Sequence, residues 1–125
     1  MHDETAVRQL GIEFTEIGED FLRGTMEVDG RTRQPMGVLH GGATVVLAES
    51  LGSIGGSMCV DGSKFYCVGL SITANHLRAA RSGKVTGTAR PVHLGRTTQV
   101  WDIQVVDEQD RLVNVSRLTL AVLAL

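Results

Sequence analysis

The sequence predicts an α+β domain in which an antiparallel sheet of about six strands curls around one long helix. Three observations carry this expectation. Residues 40–58 form the one long helix candidate, and they are apolar or small nearly all round, as in a helix enclosed on most sides by the rest of the fold. Two strand-like runs precede that helix and four follow it, in the order β-β-α-β-β-β-β. The connections between strands are short and rich in turn residues, so neighbours are expected to pair antiparallel.

The elements follow in order. Residues 3–10 suit a short helix or a frayed arm. Residues 11–17 alternate weakly. Residues 21–28 put Leu22, Gly24, Met26 and Val28 on one face and Arg23, Thr25 and Glu27 on the other. Gly18-Glu19-Asp20 between these runs reads as a hairpin turn. Residues 31–39 form a loop, broken by Pro35 and Gly37. In the helix candidate, Val45, Val46, Leu47, Leu51 and Ile54 make no single stripe, and the small residues Gly41, Gly42, Ala43, Ala48, Gly52, Gly55 and Gly56 let other backbones come close. Each glycine costs about 1 kcal/mol of helix propensity against alanine, so tertiary packing must hold the helix. Residues 67–77 alternate, with Val68, Leu70, Ile72 and Ala74 on one face. Residues 84–91 place Val85, Gly87 and Ala89 together; residues 97–106 place Trp101, Ile103 and Val105 together; residues 112–123 form the last strand. Arg81-Ser82-Gly83, His93-Leu94-Gly95-Arg96 and Asp107-Glu108-Gln109-Asp110 read as hairpin connections. An open sheet has two edges, and pairing them between subunits is one way to cover them, so a homo-oligomer is expected.

The bulk properties bound the function. At 125 residues the chain is expected to be a single domain, 1–125. Its formal charge is -2, with no basic run of the kind that binds nucleic acid. The start, Met1-His2-Asp3-Glu4, is unlike a secretory leader. No stretch reaches the roughly 18 uninterrupted apolar residues needed to span a membrane. Cys59 and Cys67 have no metal-ligand spacing and are expected to be reduced thiols of a cytoplasmic protein. No carboxylate and histidine set has metal spacing either, so no metal is expected.

Glu49 is the only charged side chain between Arg33 and Asp61. It lies in the helix candidate among apolar and small neighbours. A buried, unpaired carboxylate costs several kcal/mol even after relaxation, so the sequence marks Glu49 as the first functional candidate.

His40-Gly41-Gly42 at the helix start, Gln34-Pro35 upstream and an acid nine residues after the histidine together resemble the hotdog-fold thioesterases. Within them, the sequence is most similar to the branch acting on aromatic acyl-CoA thioesters such as hydroxybenzoyl-CoA, phenylacetyl-CoA and dihydroxynaphthoyl-CoA. The run from Val68 to Arg78 resembles that family's third strand; Pro91-Val92-His93-Leu94-Gly95-Arg96 and Trp101 resemble its fourth and fifth. The resemblance implies hydrolysis of an aromatic or medium-chain acyl-CoA to the free acid without a cofactor, coenzyme A being part of the substrate. Glu49 would attack the carbonyl or activate water. The amides of Gly41 and Gly42 would polarise the carbonyl oxygen at a helix N-terminus. Gln34 would position the substrate or water, and His40 would orient the loop or hydrogen-bond near the thioester. Ser53, one turn beyond Glu49 on the same face, is a candidate for contact with the acyl ring or a water. Arg78 and Arg96 would meet phosphates of coenzyme A, with Thr97 nearby and His76 at the entrance.

Geometry adds a constraint. Gly41 and Glu49 are eight residues apart, about 12 Å along one helix. One carbonyl is not easily reached by both, which favours a site shared between two antiparallel helices of two subunits. The resemblance implies the same, in a tetramer built as a dimer of dimers. Two other readings stand beside this one: a hotdog dehydratase using His40 and Glu49 on hydroxyacyl thioesters, and a non-catalytic acyl-CoA-binding module. Trp101 is expected to be a packing residue.

Overall fold

The computed structural model describes residues 4–125. Met1, His2 and Asp3, and the expectations attached to them, lie outside the described residues. The elements are α1 (Ala6–Gln9), β1 (Glu13–Ile17), β2 (Leu22–Glu27), α2 (Gly41–Met58), β3 (Phe65–His76), β4 (Lys84–Leu94), β5 (Thr98–Val106) and β6 (Leu112–Ala124). They form one six-stranded sheet in the order β1-β2-β4-β5-β6-β3, with every neighbouring pair antiparallel. The sheet curves around α2, and this is the hotdog fold.

Period-two burial fixes the strands' inner faces. Leu22, Gly24 and Met26 of β2, Val85, Gly87 and Ala89 of β4, and Gln99, Trp101, Ile103 and Val105 of β5 all face α2. Pro91 is tolerated within β4 because β2 pairing ends at Ala89, so its missing N–H removes no bond to that neighbour. The glycines of α2 do what their number suggested. A Cβ at Gly55 would stand 2.9 Å from the Trp101 ring, and one at Gly52 would stand 2.5 Å from Leu118 Cδ2. Trp101 thus packs on the helix, and its indole N–H donates to Gln99 Oε1 at 2.9 Å. Gln99 in turn donates to the Gly56 carbonyl near the helix end. We expect Gly52→Val to destabilise by about 1–3 kcal/mol through overpacking, seen as a lower denaturant midpoint at unchanged slope.

Three expectations are corrected. The short Arg81-Ser82-Gly83 connection does not join a hairpin: β3 pairs with β6, and β4 with β2. Residues 77–83 form a strap across the sheet end beneath the start of α2, tied by Leu77 N–H to Val113 O, Leu39 N–H to Ala80 O and Val28 N–H to Gly83 O. Second, the inner face of β3 is Cys67, Gly69, Ile72, Ala74 and His76, while Val68 and Leu70 are 39% and 60% exposed. A bulge between Gly69 and Ser71 is the cause, since one extra residue reverses the alternation on one side of it. Third, α2 is expected to be enclosed on most sides, but within one chain the sheet buries only one of its faces. Ala43, Thr44, Leu47, Ala48, Leu51, Gly52, Gly55 and Gly56 are buried on the sheet, whereas Val45, Val46, Glu49, Ser50, Ser53 and Ile54 are only half-buried.

Candidate active site

The site begins where the loop enters α2. Gln34 shapes that loop: its side-chain Oε1 accepts from Met36 N–H at 2.6 Å, and its carbonyl accepts from Gly37 N–H at 2.9 Å. Gly37 supplies the positive φ of 86° that this tight turn needs. The Gln34 amide nitrogen keeps its donors. His40 is the helix N-cap, its Nδ1 accepting from Gly42 N–H at 2.8 Å. The Gly42 amide is therefore taken, which corrects the expectation that both glycine amides are open to a carbonyl. Gly41 N–H, at the first helical position, has no intrahelical acceptor.

Glu49 projects from the half-buried face of α2. Among the described residues its side chain makes no hydrogen bond or ion pair. The expectation of a fully buried carboxylate does not hold for a single chain, because the sheet covers only the other face of the helix. Its position is nonetheless specific. The carboxylate lies over Gly69 of β3, with Oε2 2.7 Å from where a Cβ on Gly69 would stand. Gly69 was not a candidate from the sequence. A glycine inside a strand, beside a bulge, was the available signal. Cys67 follows on the same inner face; burial pushes its thiol up, and nearby Cys59 adds to the shift. Both cysteines are free thiols.

His76 closes the start of the helix. Its Nε2 lies 2.8 Å from where a Cβ on Gly41 would stand, so only glycine leaves room for the ring there. On its other side, Asn114 Nδ2 lies 3.2 Å from His76 Nδ1, and Ser116 Oγ donates to Asn114 Oδ1 at 2.7 Å. Asn114 and Ser116 also escaped the sequence reading. Two polar residues at alternate positions, ahead of Leu118, Leu120 and Val122 on the same face, were the pattern that could have found them.

Gly41, Thr44, His76 and Arg78 line one continuous groove, and Arg78 and Arg81 border a second cavity beside it. Neither arginine side chain has an ion-pair partner among the described residues. Arg96 and Thr97 are exposed in the turn before β5, whose Gln99 and Trp101 contact the far end of α2. Arg78 and Arg96 thus sit at opposite ends of the helix in one chain. From Gly41 to Gly56 that is about 22 Å at 1.5 Å per residue. Ser53 lies one turn beyond Glu49, and past it Phe14, Ile17, Leu22, Ile54 and Met58 line an open apolar groove.

Residues 36–114, from the entry loop through α2 to the buried Asn114, match the family model described as the thioesterase superfamily. The chain belongs to the thioesterase superfamily. Among the thioesterase's relatives, the 1,4-dihydroxy-2-naphthoyl-CoA hydrolase of Escherichia coli (strain K12) is 53% identical over 123 residues, covering 98% of this chain and 87% of the relative. The proofreading thioesterase EntH of Cronobacter turicensis is 50% identical over 120 residues, covering 95% and 86%. A thioesterase crystal structure from Haemophilus influenzae superposes with a TM-score of 0.94 at 54% identity, covering 97% of this chain and 84% of that one. The thioesterase is a thioester hydrolase of the hotdog fold. No helix among its described residues is long and apolar enough to cross a membrane.

Proposed function

We propose that this thioesterase hydrolyses an aromatic acyl-CoA to the free acid and coenzyme A, in a site shared by two subunits. The single observation that carries the reading is the unpartnered Glu49 carboxylate seated over Gly69, with the open Gly41 amide about 12 Å away along the same helix. Glu49 is the nucleophile or general base. The Gly41 N–H of the partner subunit polarises the carbonyl oxygen, and the Gln34 amide positions the substrate or water.

Pairing of β3 with a second β3 supplies that geometry. β3 is a long edge strand exposing Phe65, Tyr66, Val68 and Leu70, an edge that invites another strand. Glu49 lies over Gly69, and Gly41 lies against His76. An antiparallel pair with Gly69 opposite His76 of the partner subunit therefore brings each Glu49 to the other chain's helix start. With Leu70 absorbed in the bulge, that register centres on Thr73, opposite its own copy. The two helices then run antiparallel, which brings Arg78 of one chain and Arg96 of the other, with Thr97, to the same end of the site, where coenzyme A phosphates would bind. Arg81 joins them. The tetramer, a dimer of these dimers, belongs to the same proposal.

The acyl group would lie along α2 from Glu49 past Ser53 toward Ile54 and Met58, where the groove is apolar. An aromatic acid fits that surface, and the relative named as a 1,4-dihydroxy-2-naphthoyl-CoA hydrolase supports an aromatic acyl group here. The free thiols of Cys59 and Cys67 suit the reducing cytoplasm. The test is coenzyme A release across a panel of naphthoyl-, benzoyl-, phenylacetyl- and straight-chain acyl-CoA thioesters. Fastest turnover of the aromatic members supports the reading. Loss or gain of water with the thioester intact would instead indicate a dehydratase.

Gly69→Val offers a separate check. Valine suits a strand better than glycine, but its side chain occupies the space of the Glu49 carboxylate. Thermal stability should hold while kcat falls by about 10²-fold, the loss expected from a misplaced reacting group.

A further inference from the structure

We propose that Asn114 and Ser116 are positioning residues, which hold His76 as its Nε2–H tautomer and aim that N–H beside the Gly41 amide as a second donor to the thioester carbonyl. This deepens the proposed function and rests on it.

The assignment follows from what each atom can do. Ser116 Oγ donates to Asn114 Oδ1 at 2.7 Å. With its oxygen so engaged, the Asn114 carboxamide turns its nitrogen to His76, and that nitrogen only donates. At 3.2 Å from it, His76 Nδ1 must therefore accept. A neutral imidazole carries one proton, so it resides on Nε2. Nε2 is the atom that faces Gly41, 2.8 Å from where a Cβ would stand. Hydrogen bonds thus run in one direction: serine hydroxyl, asparagine carboxamide, imidazole, helix start.

Burial makes the arrangement rigid. Asn114 is 0% and Ser116 1% exposed, while His76 reaches the groove. Asn114 and His76 are directly opposed in the β3–β6 register, and Ser116 is opposed to Ala74. Polar groups buried this deeply lose their hydration, and each is compensated only by the next member of the chain. The only member open to a ligand is His76. Gly41 N–H and His76 Nε2–H border the same groove, and two fixed donors converging where negative charge develops form an oxyanion hole.

Imidazole nitrogen NMR on the full-length protein at pH 9 reads the tautomer directly. The wild type should show His76 protonated on Nε2. Asn114→Asp offers only acceptors, so the proton should move to Nδ1, and kcat should fall by about 10²-fold with KM changed less than about two-fold, as for loss of one oxyanion donor. Asn114→Leu fills the same space without anchoring the ring and should lower kcat, by less than Asn114→Asp does, because the Nε2–H donor is still populated part of the time. His76→Gln, which keeps an amide donor, should retain more activity than His76→Leu. An Nδ1–H tautomer in the wild type would overturn the proposal. So would unchanged kcat in both Asn114 variants with dimer mass and melting point preserved. The tautomer is read without substrate, so inactivity of the wild type toward every acyl-CoA would count against the proposed function and leave the NMR result standing.

Discussion

Replacing Glu49 with glutamine is expected to lower kcat by about 10³-fold, within the span that general acid–base groups contribute, while the protein folds and assembles as before. The carboxylate has no hydrogen bond or ion pair among the described residues, so its removal breaks no structural contact in the chain. The amide is nearly isosteric, so the space over Gly69 stays filled. What disappears is the negative charge, and with it both candidate roles, attack on the carbonyl and removal of a proton from water. KM should change little, because the loss falls on the transition state rather than on binding. Steady-state kinetics beside a thermal melt separate the two: a large stability loss, or a kcat within ten-fold of wild type, would remove Glu49 from the chemistry.

The second large effect concerns the β3 edge. Ser71, Thr73 and Asn75 are exposed on its outer face. In a register centred on Thr73, Ser71 opposes Asn75 of the partner subunit and Thr73 opposes itself. Substituting all three with glutamate places like charges directly across the pair, which destabilises strand pairing. Sedimentation should show dissociation, and turnover should fall by about 10²-fold or more as the shared site is lost. The fold should survive, because these side chains face away from α2. A triple variant that stays dimeric would contradict the proposed register, and an active monomer would contradict the shared site.

Much of this was legible in the sequence, for physical reasons that also explain the gaps. Strands β2, β4 and β5 could be read because one face of each is fully buried, and burial imposes an unbroken alternation on Leu22 to Met26, Val85 to Ala89 and Trp101 to Val105. The limits of α2 were close, with His40 as its cap and Met58 as its last residue. Strand β3 misled because a bulge leaves the composition unchanged but exchanges the faces, so Val68 and Leu70 looked like core. The strap at residues 77–83 ends in turn residues, and nothing local distinguishes such a crossover from a hairpin.

The site was only partly readable. Glu49 stood out because charge is rare in its surroundings. Gly69, Asn114, Ser116 and Arg81 did not, because their significance lies in what the fold sets opposite them. The Gly42 amide is not available, because it donates to the His40 ring, a contact that the sequence alone does not specify.

The central claim is that each site draws on two chains, and subunit complementation tests it most directly. Gly41→Pro removes the helix-start N–H at a position that accepts proline and drives the His76 ring aside; Glu49→Ala removes the carboxylate. Each variant alone should be nearly inactive. After exchange at equal concentrations, about half the dimers are hybrids, and each hybrid regains one intact site of two, so about a quarter of wild-type activity should return. Verified hybrid dimers with no recovered activity would show that the site lies within one chain.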